Sequence, residues 1–234
     1  MKLRKNERQN TKTKPVSLVS LVDPSSPVAE QYRTIRTNIQ FASSADQRVK
    51  TLVVTSSGPS EGKSTTSANL AVVFAKAGQK VLLVDADMRK PTVYKTYQLN
   101  NQTGLSTVLS TGAILTESVQ TTSVENLSIL TSGPKAPNPS ELLGSTKMDQ
   151  VMEEARSRYD MVIFDLPPVV TVTDAQLMAS KADGTLLVVR ENWTRKDALN
   201  KAKELLTMVQ ARVLGVVYNG AEQSKDQAYY YYSD

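Results

Sequence analysis

The stretch Ser57-Gly58-Pro59-Ser60-Glu61-Gly62-Lys63-Ser64 spaces glycines, a lysine and a hydroxyl as a phosphate-binding loop does. A glycine-rich turn that opens into a helix aims several backbone N–H groups at one spot, where the helix dipole also favours negative charge. Lys63 would then reach the β and γ oxygens of a nucleoside triphosphate, and Ser64 would ligate Mg²⁺. Ser57 stands where the motif's first glycine belongs, with Gly58 one position on. Three carboxylates are candidates for the companion chemistry: Asp85 and Asp87 in Val84-Asp85-Ala86-Asp87, and Asp165 after Met161-Val162-Ile163-Phe164. A P-loop ATPase needs one acid for its metal, a role that Asp165 fits. A further carboxylate beside the γ-phosphate is what accepting a hydroxyl proton needs. Asp85 and Asp87 share one side of an extended chain, so both can approach the metal–phosphate region; Asp87 has the alternative of capping a turn or helix. Arg89 and Lys90 follow, either balancing phosphate charge or standing as ordinary loop cations.

What the chain lacks narrows the chemistry further. Its 234 residues include no histidine and no cysteine. That excludes a Ser-His-Asp triad, an imidazole base, a thiolate nucleophile and a cysteine-held cluster or structural zinc. Acid–base work falls to carboxylates, lysines or tyrosines. With 40% hydrophobic residues the chain can bury a sizeable core. No apolar run approaches the ~18 residues of a membrane span, and no signal-peptide pattern follows the basic start, so a soluble, cytoplasmic protein is expected. The formal charge of +5 is concentrated: Lys2, Arg4, Lys5, Arg8, Lys12 and Lys14 against Glu7 account for all of it. Residues 1–14 could therefore visit an anionic membrane surface, while the neutral remainder gives no reason to expect nucleic acid.

The elements that must position these groups follow from the apolar pattern. Thr51–Thr55, Val81–Asp85, Leu127–Leu130, Met161–Phe164, Thr185–Val189 and Val213–Val217 read as strands, each apolar throughout. Helical patterns fall between them at 63–77, 146–158, 174–181 and 194–210. Pro27 can open an earlier helix whose Val28, Tyr32, Ile35 and Ile39 form one stripe. Alternating apolar strands and helices predict an α/β P-loop NTPase fold: a mostly parallel twisted sheet with helices on both faces, three layers in all. Ligands of such sheets bind beyond the carboxyl ends of the strands, where Asp85, Asp87 and Asp165 stand. The expected organisation is a basic flexible arm over 1–26, one P-loop domain over 27–220, and a flexible tail over 221–234. That tail carries four consecutive tyrosines, Tyr229, Tyr230, Tyr231 and Tyr232. Trp193 and the methionines are read as packing residues.

These motifs together resemble the bacterial tyrosine kinases. The P-loop, Val84-Asp85-Ala86-Asp87-Met88-Arg89-Lys90-Pro91 and Ile163-Phe164-Asp165-Leu166-Pro167-Pro168 are similar to that family's Walker A, A′ and B motifs. Pro137-Asn138-Pro139-Ser140-Glu141-Leu142-Leu143 is similar to a further family segment, and Glu30, Arg33 and Arg36 match its Glu-x-x-Arg-x-x-Arg oligomerisation motif. The resemblance runs from about residue 25 to the end. It implies ATP–Mg²⁺ held by Gly58, Pro59, Ser60, Glu61, Gly62, Lys63, Ser64 and Thr65, with Asn219 at the adenine. It implies Ser64, Asp87 and Asp165 about the metal, and Lys63, Asp85 and Asp87 as the catalytic set. Asp85 would be the base for a tyrosine hydroxyl, with the division of roles between Asp85 and Asp87 open. Ser60 departs from the family's more usual glycine.

The resemblance further implies a homo-oligomeric ring in which one copy phosphorylates Tyr229, Tyr230, Tyr231 and Tyr232 of the next. A separate transmembrane activator would recruit the ring to the membrane, and capsule or exopolysaccharide export would be the process controlled. The tail supports this from its own composition, since four tyrosines in a polar terminus add nothing to a core but can accept phosphate. A division-site or partitioning switch ATPase is the alternative. Those proteins carry a second lysine where Gly58 stands here, and they lack a tyrosine cluster. A cysteine-ligated reductase of the same fold is excluded, and a non-catalytic adaptor would have lost the loop or the acids.

Overall fold

The computed structural model describes residues 14–43 and 48–221. Seven strands form one sheet: β1 (Thr51–Ser56), β2 (Val81–Asp85), β3 (Gln120–Thr121), β4 (Leu127–Leu130), β5 (Met161–Asp165), β6 (Gly184–Arg190) and β7 (Val213–Asn219). Their spatial order is β3-β4-β2-β5-β1-β6-β7. Every pairing is parallel except that of β3 with β4. The central strands β1, β2 and β5 are buried throughout because helices cover both faces. On one face α2 (Pro27–Phe41) and α3 (Lys63–Lys76) pack on Leu52, Val54, Leu83, Ile163 and Val188. On the other, α8 (Thr146–Arg158), α9 (Asp174–Ala179) and α10 (Lys196–Met208) pack on Val53, Val84, Val162, Phe164 and Leu187.

Several short elements escape the apolar pattern. They are α1 (Val19–Val22), α4 (Val93–Thr96), α5 (Leu105–Thr111), α6 (Leu115–Ser118), α7 (Pro139–Gly144) and the two-residue β3. Four to seven residues are too few to repeat a stripe, so no periodicity marks them. Residues 15–26, expected to be irregular, instead contain α1 and lie against α3. The N–H of Ser20 donates to Asn69, the Asn69 amide donates to the Ser17 carbonyl, and Lys76 donates to the Ser20 carbonyl. Val16, Leu18, Val19 and Leu21 pack on the α3-side core, so burial of four apolar side chains outweighs the Ser and Pro content of the segment.

The helix α2 is capped by Ser26, whose hydroxyl accepts from the N–H of Ala29, with Pro27 at its first position. Its buried face is Ala29, Tyr32 and Ile39; Val28, expected in the apolar stripe, is 44% exposed. The run Val213–Val217, expected to be buried, is only partly so. It forms the edge strand, with one hydrogen-bonded neighbour, and leaves Val213 and Val216 exposed. Among the described residues no helix is long and apolar enough to cross a membrane.

Candidate active site

The phosphate loop joins the end of β1 to the start of α3, as the strand–loop–helix reading requires. Gly62 has φ +100°, a conformation that calls for glycine, and a Cβ there would also displace the Asn219 amide. Ser60 also adopts a left-handed conformation, φ 63°. That is the physical meaning of its departure from glycine, and it stores about 1 kcal/mol of strain. Lys63, at the first position of α3, points back over the loop. Its ammonium lies 2.9 Å from Asp87 Oδ2, 3.2 Å from Ser64 Oγ and 3.8 Å from Asp165 Oδ1. Burial would lower its pKa, but the carboxylates of Asp165 and Asp87 outweigh that and hold the ammonium above its ordinary value.

A cavity of about 400 Å³ opens here, at the carboxyl end of the sheet. Of the expected nucleotide residues, Pro59, Ser60, Gly62, Lys63, Ser64, Thr65 and Asn219 line it, together with Asp87 from the expected metal and catalytic sets. Gly58 and Glu61 do not. The Glu61 carboxylate is buried within the loop's own structure, 3% exposed, and accepts from Ser57 Oγ, Gly58 N–H and Thr194 Oγ1. Asn219 is on the cavity wall, with its amide donating to the Glu61 carbonyl at 3.0 Å.

Behind the cavity lie Asp85 and Asp165, register partners on the adjacent strands β2 and β5 and fully buried. Asp85 Oδ2 accepts from the N–H groups of Thr92 and Val93 at 3.1 and 3.0 Å, while its Oδ1 has no partner. Asp165 Oδ1 accepts from Ser67 at 3.2 Å, and its Oδ2 has no partner. Burial, then repulsion from Asp165, pushes the Asp85 carboxyl up to about 8. Burial also raises Asp165, against the opposing pull of Lys63. Asp87 spans both worlds: Oδ1 accepts from the Lys90 N–H, as a turn cap, and Oδ2 meets Lys63.

Two orphaned carboxylate oxygens beside a lysine and a phosphate-type loop fit a phosphate–metal ligand. Among the described residues no cluster of three or more Asp, Glu, His or Cys could hold a metal ion by itself. That suits Mg²⁺, which takes one or two carboxylates and fills its remaining positions with phosphate oxygens and water. Of the expected metal residues, Ser64 and Asp87 line the cavity and Asp165 is buried behind it.

Several side chains do something other than what composition suggests. Arg89 is not free to meet phosphate: it forks onto Asp174 at 2.9 and 3.0 Å and also donates to Ser140, so α7, α9 and the Asp85–Lys90 segment are tied together. Lys90 does line the cavity, with Arg190, Thr92, Pro168 and Val16. Arg190 stands at the carboxyl end of β6, so the rule that located the aspartates could have located it too. Val16 gave no signal at all, since only the docking of α1 brings it near. Trp193, read as packing, is 58% exposed and lies on the loop, donating to the Pro59 carbonyl.

The proposed oligomerisation residues lie on α2, away from the cavity lining. Glu30 pairs with Arg33 one turn on, and Arg33 also donates to the Pro24 carbonyl. Arg36 turns inward and donates to the Val73 carbonyl, leaving its Nε buried without a partner. The expected phosphoacceptors Tyr229, Tyr230, Tyr231 and Tyr232 lie outside the described residues, as do the basic residues 2–12.

Known proteins of similar sequence and shape narrow the reading. Residues 49–213 match the family model described as AAA domain. The chain is 47% identical to tyrosine-protein kinase YwqD of Bacillus subtilis (strain 168), over 99% of this chain and 96% of that one. It is 38% identical to tyrosine-protein kinase CpsD of Streptococcus pneumoniae serotype 4, over 81% of this chain and 83% of the relative. Among solved structures, the chimerical protein CapA2B2 superposes with a TM-score of 0.84 at 42% identity, covering 91% of this chain and 94% of that one. Near-complete coverage at such identity, on a site of this geometry, means that the chain belongs to the family of bacterial tyrosine-protein kinases.

Proposed function

We propose that this family member transfers the γ-phosphoryl group of ATP to tyrosine hydroxyls, and that Tyr229, Tyr230, Tyr231 and Tyr232 of a neighbouring copy are substrates. The observation that carries the reading is the pairing of a nucleotide cavity with buried, under-hydrogen-bonded carboxylates just behind it, in a chain with four consecutive tyrosines at 229–232. Ser64, Asp87 and Asp165 would hold Mg²⁺, which when bound would supply positive charge to offset that of the phosphates. The loop N–H groups and Lys63 would orient the phosphates. Asp85 is a base candidate because its raised pKa makes it a better proton acceptor than an ordinary carboxylate near neutral pH. It would take the tyrosine proton as the hydroxyl oxygen bonds to the γ-phosphorus and the bond from phosphorus to the β-bridging oxygen breaks, releasing ADP. Asp87, closer to the cavity, is the other candidate for the same proton.

The wider reading is a homo-oligomeric ring closed by a head-to-tail contact through Glu30, Arg33 and Arg36. A separate transmembrane activator would hold the ring at the inner face of the membrane, assisted by basic residues 1–14. The regulated process would be capsule or exopolysaccharide polymerisation and export.

Incubation with ATP–Mg²⁺ followed by phosphotyrosine detection tests the core of this. The signal should fall by on the order of 10²–10³-fold in Lys63→Met and vanish when Tyr229, Tyr230, Tyr231 and Tyr232 are all replaced by Phe. Phosphate release without phosphotyrosine, even with an activator fragment present, would instead identify a switch ATPase.

A further inference from the structure

An acid in the middle of a phosphate loop is chemically out of place. Glu61 adds negative charge one residue from Gly62 and two from Lys63, where anionic phosphates must sit. Its surroundings account for it. The carboxylate accepts 2.8 and 3.0 Å hydrogen bonds from Ser57 Oγ, one of 3.0 Å from the Gly58 N–H and one of 2.6 Å from Thr194 Oγ1. Three donors converge on one buried group, so its charge is used inside the loop rather than presented to the cavity. Ser57, the residue in place of the motif's first glycine, is one of those donors.

The same turn that supplies Thr194 holds the rest of the loop's outer side. Arg190 Nη1 donates to the Ser60 carbonyl at 3.1 Å, and Trp193 Nε1 donates to the Pro59 carbonyl at 3.2 Å. The Asn219 amide takes the Glu61 carbonyl. Within the turn, Thr194 Oγ1 accepts from the Arg190 N–H at 2.8 Å, and the Arg190 guanidinium lies over the Trp193 ring. Three successive loop carbonyls, Pro59 to Glu61, are therefore each held by a side chain from outside the loop. This holds the strained Ser60 in place between two further ties, at Pro59 and Glu61.

We propose that Glu61 and Thr194 are positioning residues for the nucleotide, forming a latch between the phosphate loop and the 190–194 turn that pre-shapes the loop for phosphate. The inference rests on the kinase reading and deepens it: these two side chains touch no reacting atom, and their contribution is to nucleotide affinity. A loop that must be ordered on binding loses that ordering free energy from its affinity, whereas a latched loop does not. Trp193, the chain's single tryptophan, rests on the same loop.

The test uses the full chain. Calorimetric titration with ADP–Mg²⁺ and steady-state kinetics with ATP are run on wild type, Thr194→Val, Thr194→Ser and Glu61→Gln. Thr194→Val and Glu61→Gln should raise the ADP Kd and the ATP KM by about ten-fold or more, the size of one lost hydrogen bond to a charged acceptor. The kcat should stay within about two-fold, and Thr194→Ser, which keeps the hydroxyl, should restore wild-type affinity. If Glu61→Gln fails to fold, the Thr194 pair decides alone, since Thr194 lies in a surface turn. Unchanged Kd in Thr194→Val, or a loss confined to kcat, overturns the latch while leaving the kinase reading intact. Wild type that binds no nucleotide overturns both.

Discussion

The two ends of β1 use aspartate in opposite ways. At its amino end Asp183 accepts from the N–H groups of Lys50 and Thr51, from Thr51 Oγ1 and from Arg156, all within 2.8–2.9 Å. Burial alone would raise its pKa, but the donors from Thr51, Lys50 and Arg156 outweigh that and hold the carboxyl below its ordinary value. At the carboxyl end Asp85 and Asp165 are more deeply buried, and each keeps one oxygen without a partner. Their carboxyls are raised instead. A fully satisfied carboxylate ties strands together. A buried one left short of donors is an unmet demand for a cation or a proton, and natural proteins keep such demands where chemistry is done.

The sharpest way to break that comparison is Asp85→Asn. The amide oxygen can still accept from Thr92 and Val93, but the proton acceptor is gone, so tyrosine phosphorylation should fall by about 10²–10⁴-fold. In the wild type, kcat/KM should rise with pH through an inflection near 8, where Asp85 loses its proton, and the mutant should lack that limb. If Asp87→Asn alone abolishes both activity and inflection, the base is Asp87.

Stability supplies the converse. Asp85 has a folded pKa of about 8 against an ordinary 3.8, so the stability conferred by its neutral form is complete below about 3.8 and is lost as pH rises to about 8. Asp85→Asn should thus melt with wild type in acid and above it at pH 8. Asp183 carries the opposite sign. Its folded pKa is depressed, so its contribution is present above 3.8 and disappears as pH falls through the lower folded value. Asp183→Ala should cost about 1–3 kcal/mol at neutral pH, read by urea denaturation, with the deficit shrinking below pH 3. A deficit that persists undiminished in strong acid would show that hydrogen bonding to a neutral carboxyl, not charge, does the tying.

The smallest expected effect is at Ser60. Replacing it with glycine removes the left-handed strain and loosens the unfolded chain, for a net gain below about 1 kcal/mol in thermal stability. A loss instead would mean that the loop's ties already compensate the serine fully.

Much of this was legible in the residues. Runs such as Val81–Val84 and Met161–Phe164 could only be buried strands, and the loop between Ser57 and Ser64 could only face anions once a helix followed it. The carboxylates after those strands were found by the same logic. What stayed hidden were partners chosen by distance in space. Thr194 meets Glu61 across 133 residues, and Arg89 meets Asp174 across 85. No spacing rule connects such pairs, so Glu61 read as a nucleotide contact, Arg89 as either a phosphate cation or an ordinary loop cation, and Trp193 as packing.

Residue types and local order therefore determined the class of the protein: a parallel sheet, a phosphate loop, acids at strand ends and a tyrosine tail, since each rests on short-range periodicity or a contiguous motif. Tertiary structure alone decided how the charges are used. It gave Asp183 its full set of donors and left Asp85 and Asp165 each one oxygen short, because the number of N–H groups near a carboxylate depends on which strands and loops meet there. The same closure of the chain turned an acid within the phosphate loop into the point where that loop is held.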